Sequence, residues 1–263
     1  MPELYIVRNS PIHRLDARLK VIFTLAFILS LSLTPFRAWA AYILFLTITL
    51  SIALLSRLDM VTLFKRALLA LPFALAALPL IFSTALPHSL WINLSGFQVS
   101  ISPEGTARFA SIALKAWISV QAAILLAATT RFPDLLAALQ RLKVPAVFIA
   151  ISGLMWRYLF VISDEVSRSL RARSSRSGAA SASLHTGGSL FWRARVTGGM
   201  AGSLFLRSIE RSDRVYAAML SRGYTGELPT GDAMPFSRTE RGILVLGILL
   251  LILLWLLAIL SGG

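Results

Sequence analysis

Residues 143–176 read KVPAVFIAISGLMWRYLFVISDEVSRSLRARSSR, and whether this stretch crosses a bilayer decides the architecture of the whole chain. Its first half, Val144 to Ser163, has the apolar character of a span, yet Arg157 interrupts it and Lys143 and Asp164-Glu165 flank it. Hydropathy alone leaves the question open. Charge closes it. Of 26 Lys and Arg residues, 16 lie from Arg131 to Arg241, and a crossing at 144–163 would export ten arginines between Arg168 and Arg222. Basic residues in short loops stay on the cytoplasmic face, so the stretch reads as a helix that does not cross.

Working outward, five other stretches suit a hydrocarbon core that needs about 20 helical residues: 19–36, 38–56, 67–86, 109–130 and 242–260. The head (Arg8, Arg14, Arg18, Lys20) and the loop after the second stretch (Arg57, Lys65, Arg66) are basic, which places the N-terminus inside. Four crossings return the chain to the cytoplasm at Arg131, and a fifth carries Ser261-Gly262-Gly263 outside. The reading is an all-α integral membrane protein with five transmembrane helices and a cytoplasmic helical domain inserted before the last span. Residues 1–130 form the N-terminal membrane domain with four spans, 131–241 the cytoplasmic domain and 242–263 the C-terminal span. Residues 87–107 alternate apolar and polar about Ser95-Gly96, which predicts a short outer hairpin with Trp91 in the interfacial aromatic belt. The first span resembles a signal peptide ending at Ala38-Trp39-Ala40. A second full span begins at that triplet, so the segment is read as retained.

Composition narrows the function. With 56% hydrophobic and 14% charged residues among 263, the chain is not an ordinary soluble enzyme. A formal charge of +14 belongs at wet membrane faces. Nucleic-acid binding is set aside, because most aromatics lie in apolar runs rather than interleaved with Lys and Arg. There is no cysteine, hence no disulfide and no thiolate metal site. The five spans hold no Asp, Glu or His. The alternative reading, a self-sufficient secondary transporter or channel with a basic cytoplasmic domain, usually keeps such groups within its spans. Lys115 is the one charge well inside a span and is read as snorkelling to the surface; Pro72 and Pro79 mark a kink in the third span. No GxxxxGKS or GxxxxGKT loop, GxSxG or HExxH motif is present, so the chain is read as non-catalytic.

The informative part is the insert. Pro133-Asp134 opens a short amphipathic helix closed by Pro145, and a long helix follows to about Ser175. Ser177 to Ser189 reads as a flexible connection. A second long helix runs from about Val196 to Arg222 and stops at Gly223, which suits a left-handed C-cap. On it Phe205, Ile209, Tyr216, Met219 and Leu220 share one face; Arg207, Arg211, Arg214 and Arg222 share the other, a solvated basic face. On the first helix Ile162, Val166 and Leu170 make an apolar stripe that ends in Arg173, which points to a docking contact. Gly198 and Gly202, four apart, allow a close helix crossing. An irregular loop at these glycines is the other reading.

Ala172-Arg173-Ser174 and Ser221-Arg222-Gly223, each closing one of the long helices, resemble the paired Ala-Arg-Ser and Ala-Arg-Gly signatures of energy-coupling factor (ECF) T components. The wider stretch FLRSIERSDRVYAAMLSRGYTGELP, 205–229, is similar to the cobalt-type T component, CbiQ, and its nickel relatives. Arg14 to Lys20, with Asp16 and Arg18, resembles that family's Leu-Asp-Pro-Arg-x-Lys lead-in to the first span. Ser221 stands where the family has Ala, and Ala17 where it has Pro. The resemblance implies the transmembrane coupling subunit of an ATP-driven cobalt or nickel importer in a bacterial or archaeal cytoplasmic membrane. Its crossed coupling helices would dock on two ABC-type ATPase subunits through Arg173 and Arg222, framed by Ala172, Ser174, Ser221 and Gly223. ATP and Mg would be bound by those ATPases. A membrane S component would bind the metal, and a small accessory membrane subunit belongs to some such assemblies. Phe205, Ile209 and Tyr216 are expected to serve helix packing, with Gly198 and Gly202 at the crossing.

Overall fold

The computed structural model describes residues 5, 8, 10–68, 72, 75–81, 90–94, 97–101, 103–176, 189–226 and 237–262. In chain order these form α1 (Pro11–Arg14), α2 (Ala17–Leu33), α3 (Trp39–Leu55), α4 (Met60–Ala67), a 3-10 helix (Leu78–Ile81) and two strands, β1 (Leu90–Leu94) and β2 (Phe97–Ile101). There follow α5 (Pro103–Thr129), α6 (Phe132–Arg141), α7 (Ala146–Arg176), α8 (Leu190–Ser221) and α9 (Arg238–Gly262). The protein is an all-α membrane protein with one small hairpin. Among the described residues α5, α7 and α9 are long and apolar enough to cross a membrane, and α3 is a shorter apolar helix. Hydropathy thus does not separate α7 from α5 and α9, and its placement rests on the charge distribution.

The third expected span, 67–86, falls partly outside the described residues. Where it is described, Ala76 and Ala77 form a turn and Leu78–Ile81 a 3-10 helix, so it is not one straight α-helix. Pro79 lies in the 3-10 segment, and a proline without an amide hydrogen ends α-helical bonding there. The strands β1 and β2 pair antiparallel from Leu90 opposite Ile101 to Leu94 opposite Phe97, with Trp91 opposite Ser100. Ser95-Gly96 and the connection 177–188 lie outside the described residues.

Two compact units result, one of residues 2–142 and 232–263 and one of residues 143–231. The first unit extends past the charge-based boundary at 131 because α6 packs on α2. In this unit α2 also packs against α5 and α9, α3 against α5 and α9, and α4 against α5. Phe27, Leu31, Tyr42, Phe45, Ile118, Leu251 and Leu254 form its core, the rings of Phe27 and Phe45 meeting edge to face at 5.3 Å. Buried Ala41, Ala53, Ser111 and Ala258 keep backbones close, as is needed where lipid tails offer helices no hydrophobic drive to associate. At Gly247 an added Cβ would stand 2.9 Å from Phe23 Cε2, so α9 approaches α2 there only because no side chain intervenes.

The ends of α2 and α5 are tied by an exchange of lysines. Lys20, on α2, donates to the carbonyl of Thr129 at the end of α5 at 3.0 Å and to that of His13 at 3.3 Å. Lys115, on α5, donates to the carbonyls of Thr34 and Ser32 at the end of α2 at 2.6 and 3.1 Å. The side chain of Lys115, expected to snorkel, runs to the C-terminal end of α2, where its ammonium caps carbonyls that the last turn leaves unbonded.

Candidate functional site

The second unit is built from α7 and α8, joined by polar contacts at Glu165 and at Arg173. Arg211 donates to Glu165 at 2.9 Å, and Arg207 lies 3.6 Å from the other carboxylate oxygen. These two arginines stand one turn apart on α8, so both reach the same carboxylate. Arg211, 31% exposed, leaves the solvated basic face expected of it for Glu165, 16% exposed, whereas Arg207 stays 66% exposed and Arg214 and Arg222 are exposed as that face requires. The hydrogen bond from Arg211, reinforced by the positive charges of Arg211 and Arg207, holds the Glu165 carboxyl below its ordinary range. Arg211 Nη1 remains buried without a hydrogen-bond partner. It lines a cavity of about 420 Å³ together with Met155, Tyr158, Tyr216, Met219 and Tyr224.

Further along, Arg173 donates to Thr197 Oγ1 at 3.0 Å, and that hydroxyl donates to the carbonyl of Arg193 at 2.8 Å. The two sets of pairings, Arg173 with Thr197 and Glu165 with Arg207 and Arg211, run in opposite chain directions. The helices are therefore antiparallel. From the Glu165–Arg211 contact, Arg173 lies about 12 Å one way and Arg222 about 16 Å the other, at 1.5 Å per residue. The two motif arginines thus lie on opposite sides of that contact, at most on the order of 30 Å apart along the helices.

Each motif has its own local geometry. Ser174 donates to the carbonyl of Arg171 at 2.7 Å, and Ala172 is exposed beside it. At the other end Ser221 donates to the carbonyl of Ala218 at 3.0 Å. Arg222 is the C-cap of α8 and is exposed. Gly223 follows at φ +80°, its amide bonding Leu220 and that of Tyr224 bonding Met219, both at 3.0 Å. This is the paired-bond helix stop that requires a left-handed residue, which glycine adopts without a Cβ penalty. Gly223 therefore turns the chain away directly after Arg222.

Helix α8 begins at Leu190, earlier than the expected Val196, because Ser189 accepts from the amide of Trp192 and caps the first turn. Gly198 and Gly202 consequently lie inside the helix rather than in an irregular loop. Nothing stands within 4 Å of a Cβ added at either, so no close crossing occurs at these glycines among the described residues. Phe205, Ile209 and Tyr216, expected to pack, are 66%, 45% and 56% exposed. No residue of α8 is buried. Ile162 and Leu170 on α7 are exposed as well, so the stripe leading to Arg173 is open rather than covered.

Sequence reasoning passed over Glu165, Thr197 and Tyr158. Arg207 and Arg211 at i and i+4 can share one acid, and Glu165 is one of eight carboxylates between residues 131 and 241. At the N-terminus the lead-in motif does structural work: Asp16 caps α2 by accepting from the amide of Arg18 at 2.9 Å, and the Arg18 side chain pairs with it at 3.5 Å. No three His, Asp or Glu side chains gather as a metal-ligand set among the described residues.

The sequence profile of a family described as cobalt transport protein, CbiQ, matches residues 8–231. The chain is 29% identical to the cobalt transport protein CbiQ of Rhodobacter capsulatus over 67% of its own length and 68% of that protein's. It is 28% identical to an energy-coupling factor transporter transmembrane protein, EcfT, of Ruminiclostridium cellulolyticum over 96% and 94%. An uncharacterized protein of Methanocaldococcus jannaschii is 27% identical over 86% and 75%.

Proposed function

This chain belongs to the CbiQ family of cobalt transport proteins, and from that premise we propose that it is the transmembrane coupling subunit of an ATP-driven, ECF-type importer of cobalt or nickel. Arg173 and Arg222 each engage one of two ABC-type ATPase subunits, which bind ATP and Mg and supply hydrolysis. A separate membrane S component binds the metal ion, with a small accessory membrane subunit as a further partner in some assemblies. The chain lies in a bacterial or archaeal cytoplasmic membrane with its N-terminus and the α7–α8 unit cytoplasmic and its C-terminus outside.

The observation that carries this reading is the antiparallel pair α7–α8, which holds one motif arginine at each far end. An arginine at a helix end presents a planar fork suited to carboxylates and backbone carbonyls. A separation of up to about 30 Å suits two partner subunits rather than two contacts on one surface. The clamp of Glu165 on Arg207 and Arg211 lets motion at one end reach the other, because it ties the two helices midway. The exposed side chains of Phe205, Ile209 and Tyr216 provide apolar surface for partners.

The test is ATP-driven cobalt uptake by vesicles holding the complete complex. Arg173→Ala or Arg222→Ala should abolish most uptake while membrane insertion stays normal. Losing a desolvated docking arginine costs about 2–5 kcal/mol when its partner group is left unpaired. Full uptake by the double variant would contradict the assignment.

A further inference from the structure

Two adjoining cavities belong to the first unit. One, of about 330 Å³, lies among α2, α3, α5 and α9 and has almost wholly apolar walls that include Phe23, Phe27, Ala122, Leu126 and Leu246. The other, of about 340 Å³, is polar, and its wall carries Arg18, Lys20, Arg131 and Arg141 against Asp16 and Asp134. Leu15, Lys20 and Thr129 border both, so the apolar cavity and the polar one share a wall at these residues.

The polar cavity has an excess of two positive charges from its Lys, Arg and Asp side chains. Two of its groups have unused hydrogen-bonding capacity. Thr130 Oγ1 is buried with no hydrogen-bond partner although it lines this cavity. Lys20 uses two of its three ammonium hydrogens, on Thr129 and His13, which leaves one for a further acceptor. Arg131 is held at the rim with its guanidinium 5.2 Å from the ring centre of Tyr5. From Lys20 to Phe27 the apolar cavity extends about 10 Å along α2, two helical turns.

An apolar slot beside a cationic cup fits one hydrocarbon chain of a molecule with an anionic head, and in a bilayer that molecule is an anionic phospholipid. Basic pockets between membrane helices recognise such headgroups by the same charge complementarity. We propose that these cavities form a binding site for an anionic phospholipid, one acyl chain lying between α2, α5 and α9 and the phosphate in the cup of Lys20, Arg131 and Arg141. A zwitterionic lipid would fill the slot but leave the charge excess uncompensated. Free phosphate would meet the cup and gain nothing from the slot.

The experiment uses the full-length chain, purified in detergent and stripped of lipid. Its thermal midpoint is measured with phosphatidylglycerol, with phosphatidylcholine or with inorganic phosphate, and native mass spectrometry counts retained lipid. Phosphatidylglycerol should raise the midpoint by on the order of 5 °C at saturation; phosphatidylcholine should raise it far less and phosphate not at all. The Arg131→Gln, Arg141→Gln double variant should lose the preference between the two lipids. Ala122→Phe, which fills the slot, should lose retention of either; Leu126→Trp serves if that variant folds poorly. Equal shifts from both lipids, a phosphate shift matching that of phosphatidylglycerol, or a preference that survives in the double variant would overturn the proposal.

Discussion

Replacing Lys20 or Lys115 with methionine keeps the side-chain stem and deletes the ammonium, which isolates the exchange of caps between α2 and α5. Lys20 is 8% exposed, so Lys20→Met leaves the Thr129 carbonyl buried with its lysine bond gone. Hydrogen bonds to charged groups contribute about 1.5–3 kcal/mol each, and an unsatisfied buried acceptor costs about 1–3 kcal/mol. We expect Lys20→Met to destabilise by about 2–3 kcal/mol. Lys115 is only half-buried, so water or lipid headgroups replace part of what it gives Thr34 and Ser32. For Lys115→Met we expect about 1–2 kcal/mol. The two caps act at opposite ends of α2, about 21 Å apart from Lys20 to Thr34. Effects at that separation add to within about 0.5 kcal/mol. Reversible unfolding of both single variants and the double variant in mixed micelles, at fixed lipid composition, measures all three values. A Lys115→Met effect below about 0.5 kcal/mol would show a side chain that merely reaches for the surface, and a coupling above about 1 kcal/mol would refute two independent caps.

Three further outcomes follow from named residues. Ala17→Pro should stabilise the chain by about 0.4–1 kcal/mol, because Ala17 is the first residue of α2 and Asp16 at φ −57°, ψ 136° already has the backbone that precedes proline; a lower thermal midpoint would oppose this. Gly223→Ala places a Cβ at φ +80° and should cost about 1–2 kcal/mol in the last turn of α8, seen as faster amide exchange at Tyr224 with slower turns unchanged. Glu165 has a folded pKa below its ordinary 4.5, so its contribution to the α7–α8 contact is complete above that pH and is lost as pH falls through the lowered value. A spin-label distance between α7 and α8 should therefore hold from pH 7 to 5 and lengthen under stronger acid, whereas Glu165→Gln should remove that pH dependence.

Legibility in the sequence followed the range of the interaction. The apolar character of α3, α5 and α9 is a bulk property of consecutive residues, and Gly223 at a helix end is a local backbone requirement; both are readable from neighbours alone. The start of α8 was misplaced because Ser189 closes a run of small polar residues, and only the helical amides after it reveal that it is a cap. Pro79 was readable as a disturbance, but not as a 3-10 segment. Arg207 and Arg211 share a face that reads as wetted, and the acid that draws Arg211 from it, Glu165, is 46 residues away in the chain. Lys115 likewise finds Thr34 across 81 residues. Periodicity tells which side chains share a face and not what that face meets. The exposed Phe205 and Tyr216 belong to the same class, since a stripe at helical spacing is identical whether its cover is the same chain or a partner.

One ATPase subunit is proposed to engage each end of the α7–α8 pair through a single arginine. Native mass spectrometry of the purified complex, counting ATPase subunits per copy of this chain, tests it most directly. The expected count is two on the unaltered chain, one on Arg173→Ala or Arg222→Ala, and none on the double variant. Two ATPase subunits retained by the double variant would contradict it.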